Sequence, residues 1–151
     1  MYYLMEKARR RNNKGFTLVE LLVVIVVLAV LAAIVLPKFM NSSKRSKESA
    51  LRSDLKLLRN AVDLFRTDTG LYPAQLSDLA AAAKPANGLN TDGTTATINA
   101  ADWHGPYLQE VPSDPVTGAK DWTYSTTSGS VGDLHAGSSD KGLDGTVYST
   151  W

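Results

Sequence analysis

Two hydrophobic patterns follow one another in the first half of the chain. Leu21 to Leu36 is apolar without a break, and counted from Phe16 the run is about 21 residues. Coiled as a helix it spans roughly 31 Å at ~1.5 Å per residue, against ~30 Å for the hydrocarbon core of a bilayer. Asn41 to Glu48 (NSSKRSKE) is then polar all round, as suits a helix leaving the membrane. Beyond it Leu51, Leu55, Leu58, Val62 and Phe65 recur at steps of four and three, the period of a helix with one buried face. Ala50, Leu57, Ala61 and Leu64 widen that stripe, and Lys47, Arg52, Asp54, Lys56, Arg59, Asp63 and Arg66 fill the other side. Gly70 ends the pattern. The pattern predicts one helix from Phe16 to about Thr69, approaching 80 Å at ~1.5 Å per residue. Its first half, 16–36, is of membrane type and its second half, 37–70, is amphipathic. The stripe is expected to pack on the chain's own C-terminal domain, and a coiled coil with a partner is the lesser reading. Pro37 removes one intrahelical bond and bends the helix; a helix stop is the other reading of it.

Residues 71–151 read as a small head. Pro73 blocks continuation of the helix, and Gln75 to Lys84 predicts a short second one. Pro85 to Ala101 contains Asn87-Gly88 and Asp92-Gly93, a loop with a small hairpin near Thr94 to Ile98. Three prolines between Trp103 and Pro115 indicate an ordered irregular loop, with Trp103, Tyr107 and Leu108 pinned on the core. Strands are expected at Asp121 to Thr126, Val131 to His135 and Gly145 to Thr150. The fold class is α+β, a long helix against a small antiparallel sheet.

Charge adds an orientation. Residues 1–15 hold five basic groups (Lys7, Arg9, Arg10, Arg11, Lys14) and Glu6, a local +4, so the rest carries −3 of the overall +1. A basic cluster ahead of an apolar run keeps the N-terminus cytoplasmic and places the head outside the cytoplasm. The cluster is short and abuts the membrane segment, so no nucleic acid is expected as a partner. There is no cysteine. The loops of an exported head then need packing, a metal or neighbouring subunits in place of disulfides.

Glu20 is the anomaly. A cleaved secretory signal has a shorter apolar region and an A-x-A-like site, neither of which is present. A plain anchor fits the length but leaves a carboxylate in lipid, at a cost of about 2.5–3.5 kcal/mol at a helix centre unless it reaches the headgroups. A cut after Gly15 explains more. Phe16 then bears a free ammonium group, and Glu20 lies in the first turns of the helix, where the dipole favours an acid. Glu20 of one subunit can pair with the Phe16 ammonium of the next, which turns the desolvation cost into a drive for assembly and sets the axial register.

KGFTLVELL resembles the prepilin signature shared by type IV pilins and the pseudopilins of type II secretion. The resemblance implies that residues 1–15 are a leader removed by prepilin peptidase between Gly15 and Phe16. It also implies that the amine of Phe16 is methylated, that Glu20 is the assembly glutamate and that Pro37 is the helix-kinking proline. GPYLQEVPSDPVTG, the Trp122 and Tyr124 strand, Gly132-Asp133-Leu134 and the late Asp-Gly loop resemble the major pseudopilin of type II secretion. Two departures are visible. Val116-Thr117-Gly118 stands where that family usually has Trp-Gly, and Ala80 to Ala101 is longer. A true type IV pilin for adhesion, motility or DNA uptake is therefore the alternative. Either implies a helical homo-oligomer built from the inner membrane. Its partners are prepilin peptidase, a membrane assembly platform with a cytoplasmic ATPase, and minor pilins or pseudopilins; the filament is periplasmic or at the surface.

The resemblance further implies calcium as the one cofactor. Asp140 and Asp144 in SDKGLDG, with Asp133 or the carbonyl of Leu143, supply oxygens of the kind that ion takes. The alternative is that Asp and Gly there serve turn geometry. His104 and His135 have no metal-ligand spacing, and the tryptophans and tyrosines read as core and strand residues. The chain carries no G-x-S-x-G, Walker A, H-E-x-x-H or G-x-G-x-x-G motif, so it is not read as an enzyme. The reading from another class is a tethered binding module or enzyme, which would not begin at Phe16.

Overall fold

A computed structural model describes residues 15–151. It divides into two compact units, one up to Met40 and one from Asn41 onward. A single helix, α1, runs Leu18–Thr69 and passes through Pro37 without stopping. That removes the reading of Pro37 as a stop. In the first unit every described residue is exposed, so the apolar run finds no partner within its own unit.

In the second unit, α1 turns one stripe inward. Leu51, Leu55 and Leu58 meet Trp122, Leu134, Ala136 and Tyr148 in one core, and Ala61, Val62 and Phe65 meet Leu71, Leu79 and Ile98 in another. Burying a side chain of this size stabilises by about 1.5–3 kcal/mol, so this row holds the helix to the head. The expected stripe was too wide. Ala50 is exposed, and Leu57 and Leu64 remain 48% and 51% exposed. These three stand one position before Leu51, Leu58 and Phe65. Successive helical residues are ~100° apart, so each swings off the buried line. Glu48, read as part of an all-polar strip, is buried instead. Gly70 ends α1 at φ +72°, its N–H reaching the carbonyl of Arg66 at 2.8 Å.

The strands form two small antiparallel sheets. β1 (Tyr72–Pro73), β2 (Asn87–Leu89) and β3 (Thr95–Thr97) lie in that order, with Tyr72 opposite Leu89 and Gly88 opposite Ala96. The expected loop with a hairpin near Thr94 is thus a hairpin beginning at Asn87, turned at Asn90 to Thr94, where the Asn90 N–H and the Thr94 carbonyl pair at 2.8 Å. β4 (Thr123–Tyr124) pairs with β5 (Leu134–His135), inside the two expected strands but shorter. The expected strand from Gly145 is a bridge from Val147 to Lys141 followed by a 3-10 turn at Tyr148–Thr150. The expected helix at Gln75 to Lys84 shrinks to a 3-10 turn, Leu76–Ala80, because the backbone turns extended at Ala81 (φ −66°, ψ 129°).

Between the sheets, the irregular loop is ordered by hydrogen bonds. Asp114 is fully buried, and its Oδ1 accepts the N–H groups of Val116 and Thr117 at 2.6 and 3.4 Å. Trp122 Nε1 donates to the Pro112 carbonyl at 2.8 Å. Trp103, Tyr107 and Leu108 pack on the second core as expected, with Tyr107 edge-on to Phe65 at 5.4 Å.

Candidate functional site

The start of α1 is built from two residues of the prepilin-like signature, Thr17 and Glu20. Thr17 precedes the first helical residue, and its Oγ accepts the Glu20 N–H at 3.2 Å. In return Glu20 Oε2 accepts the Thr17 N–H and hydroxyl, both at 2.9 Å. This reciprocal capping box satisfies backbone donors that a helix start leaves unpaired. It occupies one carboxylate oxygen; Oε1 has no hydrogen bond from the described residues. The sequence pointed to Glu20 but not to Thr17 as its holder, although a threonine three before a glutamate is the signal for such a box. Phe16 is 80% exposed, and a Cβ at Gly15 would touch nothing within 4 Å. Among the described residues nothing covers the bond between Gly15 and Phe16. The leader up to Lys14 lies outside the described residues.

A second constellation sits where the C-terminal loop meets α1. Glu48 Oε1 accepts the Leu143 N–H at 2.7 Å and the Tyr148 hydroxyl at 3.0 Å. Burial first, and then the Glu48 carboxylate, push the Tyr148 phenol up to about 12. Asp144 Oδ1 accepts the N–H and hydroxyl of Thr146 at 2.9 and 2.6 Å, and its Oδ2 pairs with Arg52 at 3.2 Å. The Thr146 bonds, helped by Arg52, hold the Asp144 carboxyl below the usual range. Arg59 donates to the carbonyls of Leu134, at 2.6 and 3.1 Å, and of Trp151, at 2.5 Å. Arg52, Arg59, Asp144 and Trp151 line an open groove of about 470 Å³.

The residues expected to bind calcium are not brought together as a shell. Asp133 lies beside Arg59 and Tyr72 in a different groove. Asp140 is exposed, with its carbonyl taken by the Tyr148 N–H at 2.9 Å. Leu143 gives its N–H to Glu48 while its carbonyl has no hydrogen bond among the described residues, and Asp144 faces a guanidinium. Among the described residues no three His, Asp or Glu side chains gather as a metal-binding group. This donor set does not fit calcium, which takes six to eight oxygens. Sequence reasoning missed Glu48, Arg52 and Arg59 here. The available signal was Glu48 at the N-terminal extension of the row Leu51, Leu55, Leu58, one turn before the apolar line begins. Among the described residues neither histidine meets a metal-type cluster: exposed His104 has Nδ1 3.0 Å from the Asp102 carbonyl, and half-buried His135 has Nδ1 3.0 Å from the Trp151 carbonyl.

Comparison with known proteins places these features in families. Residues 10–36 match the prokaryotic N-terminal methylation motif. Residues 38–147 match the family described as type II secretion system (T2SS), protein G. Similar curated proteins are named type II secretion system core protein G. That of Pseudomonas aeruginosa is 33% identical over 69% of this chain and 78% of its own length. That of Aeromonas hydrophila is 33% identical over 71% and 70%, and that of Klebsiella pneumoniae 32% over 70% of each. No solved structure matches the chain. The Val116-Thr117-Gly118 departure and the long segment from Ala80 to Ala101 both fall inside the matched range.

Proposed function

Because the chain belongs to the type II secretion system protein G family, we infer that it is the major pseudopilin of such a system, a structural subunit that polymerises into a filament. The observation that carries this is the match from residue 38 to residue 147, preceded directly by the methylation motif. The chain works as an assembling part rather than a catalyst. It enters the inner membrane with its basic N-terminus in the cytoplasm and its head outside. Prepilin peptidase removes residues 1–15 and methylates Phe16. An assembly platform, driven by a cytoplasmic ATPase and primed by minor pseudopilins, then stacks the subunits.

The chemistry of stacking follows from the helix start. In lipid, the Thr17 box steadies the Glu20 carboxylate with Oε2 and leaves Oε1 for an external donor. The new ammonium of Phe16 on a neighbouring subunit is that donor. The apolar positions from Leu21 to Leu36, all exposed in the single chain, then bury against one another in the filament core.

Glu20→Ala is the test. Removing one partner of a buried charge pair costs about 3–5 kcal/mol. The variant is expected to reach the membrane and be processed, with an N-terminal sequence starting at Phe16, while the yield of sheared filaments collapses. A normal filament yield would overturn the assembly role of Glu20. A mature protein that still begins at Met1 would overturn the pseudopilin reading itself.

A further inference from the structure

Lys44, Glu48 and Arg52 are spaced by four, so α1 stacks them on one side. All three reach the C-terminal loop. Lys44 Nζ donates to the Lys141 carbonyl at 2.6 Å. The Glu48 carboxylate is buried and takes the Leu143 N–H and Tyr148 hydroxyl described above. Arg52 pairs with Asp144, and its guanidinium lies 3.7 Å from the centre of the Trp151 ring. That ring stands edge-on to Tyr148 at 4.9 Å and donates Nε1 to Thr146 Oγ at 2.6 Å.

Both carboxylate oxygens of Asp144, the loop acid nearest α1, are thus already matched. An ammonium sits on a carbonyl, and a guanidinium and two Thr146 donors sit on the carboxylate of Asp144. The only buried carboxylate of the cluster receives N–H and O–H donors, not a cation. A divalent ion approaching Asp144 would meet the Arg52 guanidinium 3.2 Å from its ligand, with the Lys44 ammonium on the nearby Lys141 carbonyl, and like charges repel. A cation tethered to the helix also needs no free ion in solution, because it is always at high effective concentration.

We propose that Lys44, Glu48 and Arg52 together take the place of calcium in fastening residues 138–151 to α1, so that this head keeps its fold without the ion. The inference goes beyond filament function and stands or falls separately from it.

The test uses the full-length protein in detergent micelles, with calcium chloride or EGTA added in millimolar excess. Thermal unfolding and tryptic cleavage after Lys141 are followed in both. The expected result is the same melting temperature and the same cleavage rate with and without the ion. A saturated site would raise the melting temperature by several degrees. Such a rise in calcium, or several-fold faster cleavage in EGTA, would overturn the proposal. Glu48→Gln keeps the shape but removes the charge that holds the Leu143 N–H and Tyr148 hydroxyl. It is expected to melt several degrees lower and to be cut several-fold faster after Lys141, equally in calcium and in EGTA. Unchanged melting in that variant would also overturn the proposal; if the variant does not fold, the wild-type response to calcium decides alone.

Discussion

Asp54 shows how a single side chain carries cost within a stable fold. It is half-buried on α1, and burial first, then the charge of Asp114, hold its carboxyl above the ordinary range. Asp114 itself is fully buried, and its Oδ2 has no hydrogen-bond partner among the described residues. A carboxyl raised on folding binds its proton more tightly in the folded chain. Its favourable contribution is present below the unfolded value of about 3.9 and is lost as pH rises through the folded value. At neutral pH, ionised Asp54 therefore opposes folding. Asp54→Asn is expected to stabilise the head at pH 7 by a fraction of a kcal/mol after solvent screening, read as a slightly higher melting temperature. The gain should fade as the pH falls below about 4. A pH-independent difference in calorimetry would mean the residue acts through packing. Neither aspartate stood out in the sequence, because nothing in the spacing of Asp54 says which of the fourteen other acidic residues it will face.

At the scale of the element, α1 uses two faces for two purposes. Leu51, Leu55, Leu58, Val62 and Phe65 hold the head, while Leu57 and Leu64, two turns apart, stay exposed. Single exposed apolar residues are ordinary, but these two lie on one line of a helix built to assemble. Leu57→Asp with Leu64→Asp is expected to leave the melting temperature of the head within the usual small range for surface changes, about 0.5 kcal/mol. Filament yield should fall at the same time, since each subunit would then present charge to its neighbour. Equal yield of sheared filaments would show that this face meets only water. The helix and its stripe were legible in the residue order, since periodicity is a local property. The width of the stripe was over-read, since the ~100° step per residue already sets Leu57 and Leu64 off the line of Leu58 and Phe65.

The whole molecule separates cleanly into what anchors and what packs. Every buried residue among those described lies from Glu48 onward, and both cores are complete within the unit that begins at Asn41. A chain of residues 41–151 is therefore expected to fold alone, melt cooperatively and run as a monomer in light scattering, without forming filaments. Loss of the cooperative transition in that fragment would show that the head needs the membrane segment. The residue order by itself determined the apolar run, the helix period, the Phe16 to Glu20 signature and the absence of thiol chemistry. Each of these depends on neighbours within a few turns or on composition. Only the tertiary structure decided that Glu48 is buried under Leu143, that Arg52 meets Asp144, and that the strands divide into two sheets. Those partners stand 95 and 92 positions apart in the chain. Contacts of that separation are chosen by the closure of the whole head, for which no local pattern of side chains provides a code.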